Sequence, residues 1–298
     1  MRKLQLKGVW APVLTPFCKD HSVNFAEYER LVHFILSQGV HGVFIGGTTG
    51  EFVNLTIEER QNMLLAARRG AGNNGNILYN VTAMNLEDMH RLMEWGKENG
   101  ADAFSVTAPY YHRYDSRALV EYFKTVARLA ENIPVYLYNM SGMTNNPITT
   151  SILKGAVECC ENICGIKDSS MDFMTLLEYR EAIQKENFQI VTGNDAQLYY
   201  ALCAGADGGI IAVASVFPEI CVKIWEDYQA ENFESARYYQ NKVMQVRNLF
   251  RSIMPVMSHK RALELRGFEM GEGRFPFRSL TEEEKQKIDK TIQEIGIL

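Results

Sequence analysis

The chain has 298 residues, 46% hydrophobic and 22% charged, with 31 Lys+Arg against 36 Asp+Glu for a net charge of −5. This near-average composition excludes disordered, collagen-like and mucin-like chains and provides ample apolar material for a core. The mild acidic excess offers no basic stripe for nucleic acid, and no apolar run approaches the ~18 residues of a membrane span. The start, Met1-Arg-Lys, is basic but lacks the apolar stretch of about 7–15 residues of a secretory signal. Six cysteines, Cys18, Cys159, Cys160, Cys164, Cys203 and Cys221, form no C-x-x-C pair and have no histidine at zinc-finger spacing. The expectation is a cytoplasmic protein in a reducing compartment, without metal or disulfides, acting on a small molecule. The sequons Asn54-Leu-Thr56 and Asn80-Val-Thr82 are then chance matches. Length leaves open two domains of about 150 residues each or one α/β barrel of about 250 with an addition.

In chain order, eight short runs rich in Val, Ile and aromatics read as strands: Val9 to Leu14, Gly42 to Ile45, Ile77 to Thr82, Ala103 to Ala108, Pro134 to Tyr138, Cys164 to Lys167, Phe188 to Thr192 and Gly208 to Val213. Most are continuously apolar rather than alternating, as parallel strands buried on both faces require. Between them lie segments of helical period, such as Phe25 to Leu36 and Leu119 to Leu129. Three helix-to-strand joints share a pattern: Gln38-Gly-Val-His-Gly, Asn99-Gly-Ala-Asp-Ala and Ala204-Gly-Ala-Asp-Gly. In each, the glycine can stop a helix in the left-handed conformation. A repeated βα unit of this kind predicts a (β/α)8 TIM barrel, with a doubly wound sheet as the alternative.

After Val213 the strand signal stops. Helices are expected over Glu219 to Gln229, Phe233 to Phe250, His259 to Arg266 and Thr281 to Ile295, the last opened by Thr281-Glu-Glu-Glu, a capping-box pattern. The first closes the barrel, and the others form a C-terminal helical extension. No Pro/Gly/Ser-rich linker separates the parts, so the organisation reads as a catalytic barrel over 1–230 and an extension over 231–298. Gly70-Ala-Gly-Asn-Asn-Gly75 matches G-x-G-x-x-G, but it follows a helix and precedes a strand, the reverse of a dinucleotide site. It is read as a loop at the opposite end of the barrel.

Barrel active sites form at the C-terminal ends of the strands. There, Gly46-Gly-Thr-Thr-Gly-Glu51 is either an anion-binding nest of backbone amides or a flexible loop with a helix cap. The tyrosines of Thr107-Ala-Pro-Tyr-Tyr111 and Tyr136-Leu-Tyr-Asn139 either pack with their hydroxyls in water or relay protons. In Ile163-Cys-Gly-Ile-Lys-Asp-Ser169 a lysine ends an apolar strand, where desolvation disfavours the ammonium and favours an amine nucleophile for carbonyl compounds. The competing reading pairs Lys167 with Asp168, a poor geometry because adjacent strand residues face opposite ways.

Taken together, Gly47-Thr-Thr-Gly-Glu51, Pro109-Tyr-Tyr111, Tyr138-Asn139, Gly165-Ile-Lys-Asp168, Gly193-Asn-Asp-Ala196 and Gly205-Ala-Asp-Gly-Gly-Ile210 have the order and approximate spacing of the dihydrodipicolinate synthase/N-acetylneuraminate lyase family. The chain resembles that family from Gly8 to the C-terminal helices. The resemblance implies a barrel with a helical extension, a homotetramer (a dimer of dimers), and class I aldolase chemistry on pyruvate that needs no cofactor. Lys167 would form the imine with the keto carbon, and Tyr138 would shuttle protons. Thr48 would link it to Tyr111, which in such tetramers reaches in from a neighbouring subunit. Gly47 and Thr49 join Thr48 in the expected carboxylate site, and Ser169, Gly193, Asp195 and Ile210 complete the expected substrate-binding set.

Departures from the pattern bear on the substrate. Dihydrodipicolinate synthases usually follow Tyr-Asn with a segment whose arginine holds the carboxylate of aspartate semialdehyde; here Met143 stands at that position. Losing a charge-assisted hydrogen bond of roughly 1.5–3 kcal/mol argues against that substrate unless another residue substitutes. Sialic acid lyases place an acidic residue and a serine where this chain has Ala196 and Ala212. The leading expectation is a Schiff-base lyase making or cleaving a 2-keto-3-deoxy sugar acid. Dihydrodipicolinate synthase, N-acetylneuraminate lyase and a keto-acid-binding barrel without turnover are the alternatives. The negative surface does not attract an anionic keto acid, so capture rests on the local nest and on Lys167.

Overall fold

The computed structural model describes residues 4–73 and 75–297. Eight parallel strands, β1 (Gly8–Pro12), β2 (Gly42–Ile45), β3 (Ile77–Asn80), β4 (Ala103–Thr107), β5 (Val135–Asn139), β6 (Ile163–Asp168), β7 (Gln189–Thr192) and β8 (Gly208–Ile210), pair in sequence order, and β8 closes on β1. This is a (β/α)8 barrel, and closure excludes the doubly wound alternative, which needs two free edges. Almost every strand residue is buried, which explains the unbroken apolar runs. The largest boundary difference is at β8, which stops at Ile210 because Ala212–Ser215 leave the ladder in a 3-10 turn.

Helices cover the outside, from Phe25–Ser37 after β1 to Pro218–Gln229 after β8. The helix stops Gly39, Gly100 and Gly205 have φ of +89°, +83° and +85°, the left-handed conformation expected of them. The helix Ile57–Ala71 leads into β3, so the Gly70 to Gly75 segment lies at the N-terminal end of the barrel; Asn74 within it lies outside the described residues. Among the described residues no helix is long and apolar enough to cross a membrane.

The extension contains the helices Phe233–Arg251, Pro255–Leu265 and Glu282–Ile295. The second begins four residues before the expected His259, because Pro255 supplies a preset φ in the first helical turn. The third carries the anticipated capping box between Thr281 and Glu284.

Two apolar layers result. One lies between strands and helices; the other fills the barrel with Leu6, Trp10, Phe44, Leu78, Tyr136, Tyr138, Val191 and Ile210. The extension touches the barrel at its C-terminal face: the Phe17 amide, beyond β1, donates to Met270 O at 3.0 Å, and Gln240 donates to Asp195 O, beyond β7, at 2.8 Å.

Candidate active site

The tips of β5 and β6 are paired so that Tyr138 stands opposite Lys167. Alternation along the strands sends both side chains into the barrel and the next pair, Asn139 and Asp168, outward. Lys167 is only 4% exposed, and its Nζ lies 4.1 Å from the Tyr138 ring centroid and 4.9 Å from that of Phe44. The amine is thus held against two aromatic faces, while Asp168 serves other partners. Tyr138 Oη is 3.4 Å from Thr48 Oγ1, a long contact of the kind that tightens when substrate binds. Tyr136, one step lower, has its hydroxyl bound to Leu4 O at 3.0 Å and Gln189 Oε1 at 2.6 Å, and so closes the barrel floor.

The glycine-rich loop after β2 is folded on itself. The amides of Gly50 and Glu51 donate to Gly47 O and Thr48 O, each at 3.1 Å. Among the described residues the amides of Thr48 and Thr49 are left without an intramolecular partner, as an anion nest requires. Three buried supports hold the loop. Asn80 Nδ2 donates to Gly46 O at 2.6 Å. Arg60, fully buried below the loop, donates to Asn80 O and Thr82 O at 2.7 and 2.8 Å. Glu51, at φ +59°, forms an ion pair of 2.8 Å with Lys260 of the extension, with side-chain exposures of 0% and 1%. None of these supports is evident in the sequence, because each joins residues distant along the chain.

On the outer face Asn139 Nδ2 donates to Asp168 Oδ1 at 2.8 Å and to Tyr179 Oη at 3.0 Å, and Ser170 Oγ donates to Asp168 Oδ2 at 2.9 Å. Burial dominates over these bonds and pushes the Asp168 carboxyl up to about 6 from 3.8. The folded state therefore holds this proton more tightly than the unfolded chain. The resulting penalty is absent below pH 4 and complete above pH 6, about 3 kcal/mol in all. Stability contributed by this group should fall as pH rises through that window. Thermal melts at pH 5 and pH 7 should show a smaller difference in Asp168→Asn than in the unsubstituted protein; equal differences would contradict the assignment.

A family model described as the dihydrodipicolinate synthetase family matches residues 5–295. The chain belongs to that family. An uncharacterized DapA-like lyase of Pyrococcus horikoshii is 32% identical over 268 residues, covering 88% of this chain and 91% of the relative. A 4-hydroxy-tetrahydrodipicolinate synthase of Chlorobium phaeobacteroides is 28% identical and covers 100% of both chains. Among solved structures, YagE, a prophage protein of the dihydrodipicolinic acid synthase family from E. coli K12, in complex with pyruvate, superposes with a TM-score of 0.94 at 25% identity over 99% of this chain and 100% of that one. The protein is a lyase of the dihydrodipicolinate synthetase family.

Within this family member the remaining expected site residues divide into two groups. Gly193 lies against the Lys167 side chain: a Cβ built there would stand 1.9 Å from Ser169 Oγ and 2.7 Å from Lys167 Cε, so a larger residue would displace one or both. Ser169 and Gly193 thus adjoin Lys167, and Ile210 lines the same interior. Asp195 is differently placed. Its Oδ1 accepts from the Val213 amide at 2.7 Å and its main-chain oxygen from Gln240, so it braces the loops after β7 and β8 against the extension. Tyr111 is 81% exposed with a φ of +80°, and among the described residues no hydrogen bond is seen from it to Thr48 or Tyr138. Met143 lies on the short helix Ser141–Thr144 after β5 and is 64% exposed. Among the described residues, no group of three or more His, Cys, Asp and Glu is placed to hold a metal ion.

Proposed function

We propose that this lyase is a pyruvate-dependent class I aldolase acting on a 2-keto-3-deoxy sugar acid. The observation that carries the reading is the buried Lys167 amine beside Tyr138, with Tyr138 Oη facing Thr48 Oγ1. Lys167 Nζ attacks the C2 carbonyl and water leaves, giving a protonated imine. Tyr138 gives its phenol proton to the departing water; in the cleavage direction its oxygen then takes the proton of the C4 hydroxyl, the C3–C4 electron pair moves into an enamine, and an aldehyde departs. Protonation at C3 and hydrolysis then return pyruvate and the free amine. Proton transfer of this kind contributes about 10²–10⁴-fold. Gly47, Thr48 and Thr49 take the keto-acid carboxylate at their backbone amides and hydroxyls, and Ser169, Gly193, Asp195 and Ile210 shape the rest of the site.

The proton path continues from Thr48 to Tyr111 of a second copy, in a homotetramer. The left-handed backbone and high exposure of Tyr111 support that assignment, since they leave its ring available to a neighbouring copy. The reading further includes a cytoplasmic location, a catalytic barrel over 1–230 with an extension over 231–298, and no requirement for a metal or organic cofactor.

An exposed, uncharged Met143, on the short helix that follows β5, supports a polyhydroxylated partner over an anionic aldehyde. A coupled assay of pyruvate release over several 2-keto-3-deoxy acids and N-acetylneuraminate, with aspartate semialdehyde plus pyruvate run in the condensing direction, tests the choice. Cleavage of a 2-keto-3-deoxy aldonic acid is expected. Turnover of aspartate semialdehyde alone would overturn the Met143 argument, and turnover of N-acetylneuraminate alone would move the protein to the sialic acid lyase branch.

A further inference from the structure

The hydrogen-bonded ladder between β5 and β6 is irregular below the site. Val135 pairs with Ile163, but the next residue, Tyr136, pairs with Gly165, so Cys164 is an extra residue in β6. A bulge of this kind re-aims every side chain above it, and pairing below it no longer fixes their spacing. Above the bulge four pairs remain, and the last two are Tyr138 with Lys167 and Asn139 with Asp168. Both strands end there, the point at which a ladder frays.

The Asn139–Asp168 pair sits at that end with more partners than a strand terminus needs. Asn139 is 1% exposed and Asp168 4%. Besides the 2.8 Å bond between their side chains, Asn139 Oδ1 accepts from the Ile148 amide at 3.1 Å, Asn139 O accepts from the Ser169 amide at 2.8 Å, and Asp168 O accepts from the Gly193 amide at 2.6 Å. Tyr179, fully buried, joins through its hydroxyl to Asn139 and Ile148 O. Adjacent strands stand about 4.8 Å apart, so a tie between neighbouring outward side chains constrains the inward pair one residue earlier.

We propose that the Asn139–Asp168 hydrogen bond is a positioning clamp that sets the distance and angle between the Tyr138 phenol and the Lys167 amine from the opposite face of the sheet. Neither residue touches substrate. The clamp rests on the aldolase reading given above, and it assigns Asp168 a role through its hydrogen bond rather than through its charge. A displacement of about 1 Å between reacting groups costs on the order of 10²-fold in rate.

The test uses Asp168→Ala, which removes the bond, and Asp168→Asn, which keeps an acceptor for Asn139 and removes the charge. Each protein is first trapped with pyruvate and borohydride, and the adduct counted by intact mass, so that kcat is expressed per competent site. The clamp predicts wild-type adduct stoichiometry in all three proteins. It predicts kcat for keto-acid cleavage down by about 10–100-fold in Asp168→Ala, and recovery to within about three-fold of wild type in Asp168→Asn. Should Asp168→Ala yield no folded protein, Asn139→Ala removes the same bond from the other side and carries the same expectation. A folded alanine variant with kcat per site within two-fold of wild type overturns the clamp, and so does an Asp168→Asn protein as slow as Asp168→Ala, which would point to the charge. Absence of an adduct in the wild-type protein overturns the aldolase reading itself, a result distinct from either.

Discussion

Lys260→Ala is expected to lower folding stability by about 3–5 kcal/mol, the range for removing one partner of a buried ion pair. Lys260 and Glu51 are 1% and 0% exposed at the side chain, and the ammonium also lies 4.3 Å from the Phe17 ring centroid. Burial pulls the Lys260 pKa down and the Glu51 carboxylate partly restores it. Without the cation, Glu51 is a carboxylate with no other hydrogen-bond partner among the described residues, sealed at the base of the glycine-rich loop. Either it takes up a proton or the loop opens to hydrate it, and both routes cost stability. The loop carries Thr48 and Thr49, so pyruvate affinity should fall in the same variant. Glu51→Gln combined with Lys260→Met should recover most of the loss, because an uncharged pair of similar volume has no charge to leave stranded. Denaturant unfolding measures all three proteins. A single-variant loss below about 1 kcal/mol would mean that water already reaches the pair.

The other large effect is chemical. Lys167→Ala should reduce turnover by about 10⁴-fold or more, a barrier increase of roughly 5.5 kcal/mol, because Lys167 supplies the amine held against Tyr138 and a hydroxyl cannot form an imine. Among the described residues the other buried lysine is Lys260, which is committed to Glu51. Lys167→Arg should not rescue activity, since a guanidinium stays protonated and is not a nucleophile at neutral pH. The alanine variant should still fold: what Lys167 leaves behind is a gap against Phe44 and Tyr138, not an unpaired charge. Steady-state kinetics together with a far-ultraviolet circular dichroism spectrum decide between loss of chemistry and loss of fold.

The barrel was legible because its physics is local. Strands buried on both faces read as short apolar runs, and glycines such as Gly39 and Gly100 mark the points where each helix must turn left-handed into the next strand. Lys167 was legible for the same reason, as a charge at the end of a run that otherwise excludes water. What escaped was everything set by contact across the chain. Glu51 reads as the end of a glycine-rich loop, and nothing near it announces a cation on the helix Pro255–Leu265. Asp195 reads as a substrate-binding residue, and nothing near it in the sequence announces that its Oδ1 also accepts from the Val213 amide. The extra residue Cys164 in β6 is invisible in a sequence where Ile163 to Lys167 looks like an ordinary strand. Tyr111 sits in a motif whose resemblance implies catalysis, yet it stands exposed within its own chain, which no pattern in the sequence announces. Resemblance implies the chemistry of Lys167 and Tyr138, whereas the supports around them arise from contacts between distant segments of the chain.

Borohydride reduction in the presence of pyruvate, read by intact mass and peptide mapping, reports whether Lys167 forms the imine. Reduction of the imine should add one reduced pyruvate per chain on the peptide that contains Lys167, and Lys167→Ala should remain unmodified. No adduct on the wild-type protein, or an adduct that persists in Lys167→Ala, would contradict the account.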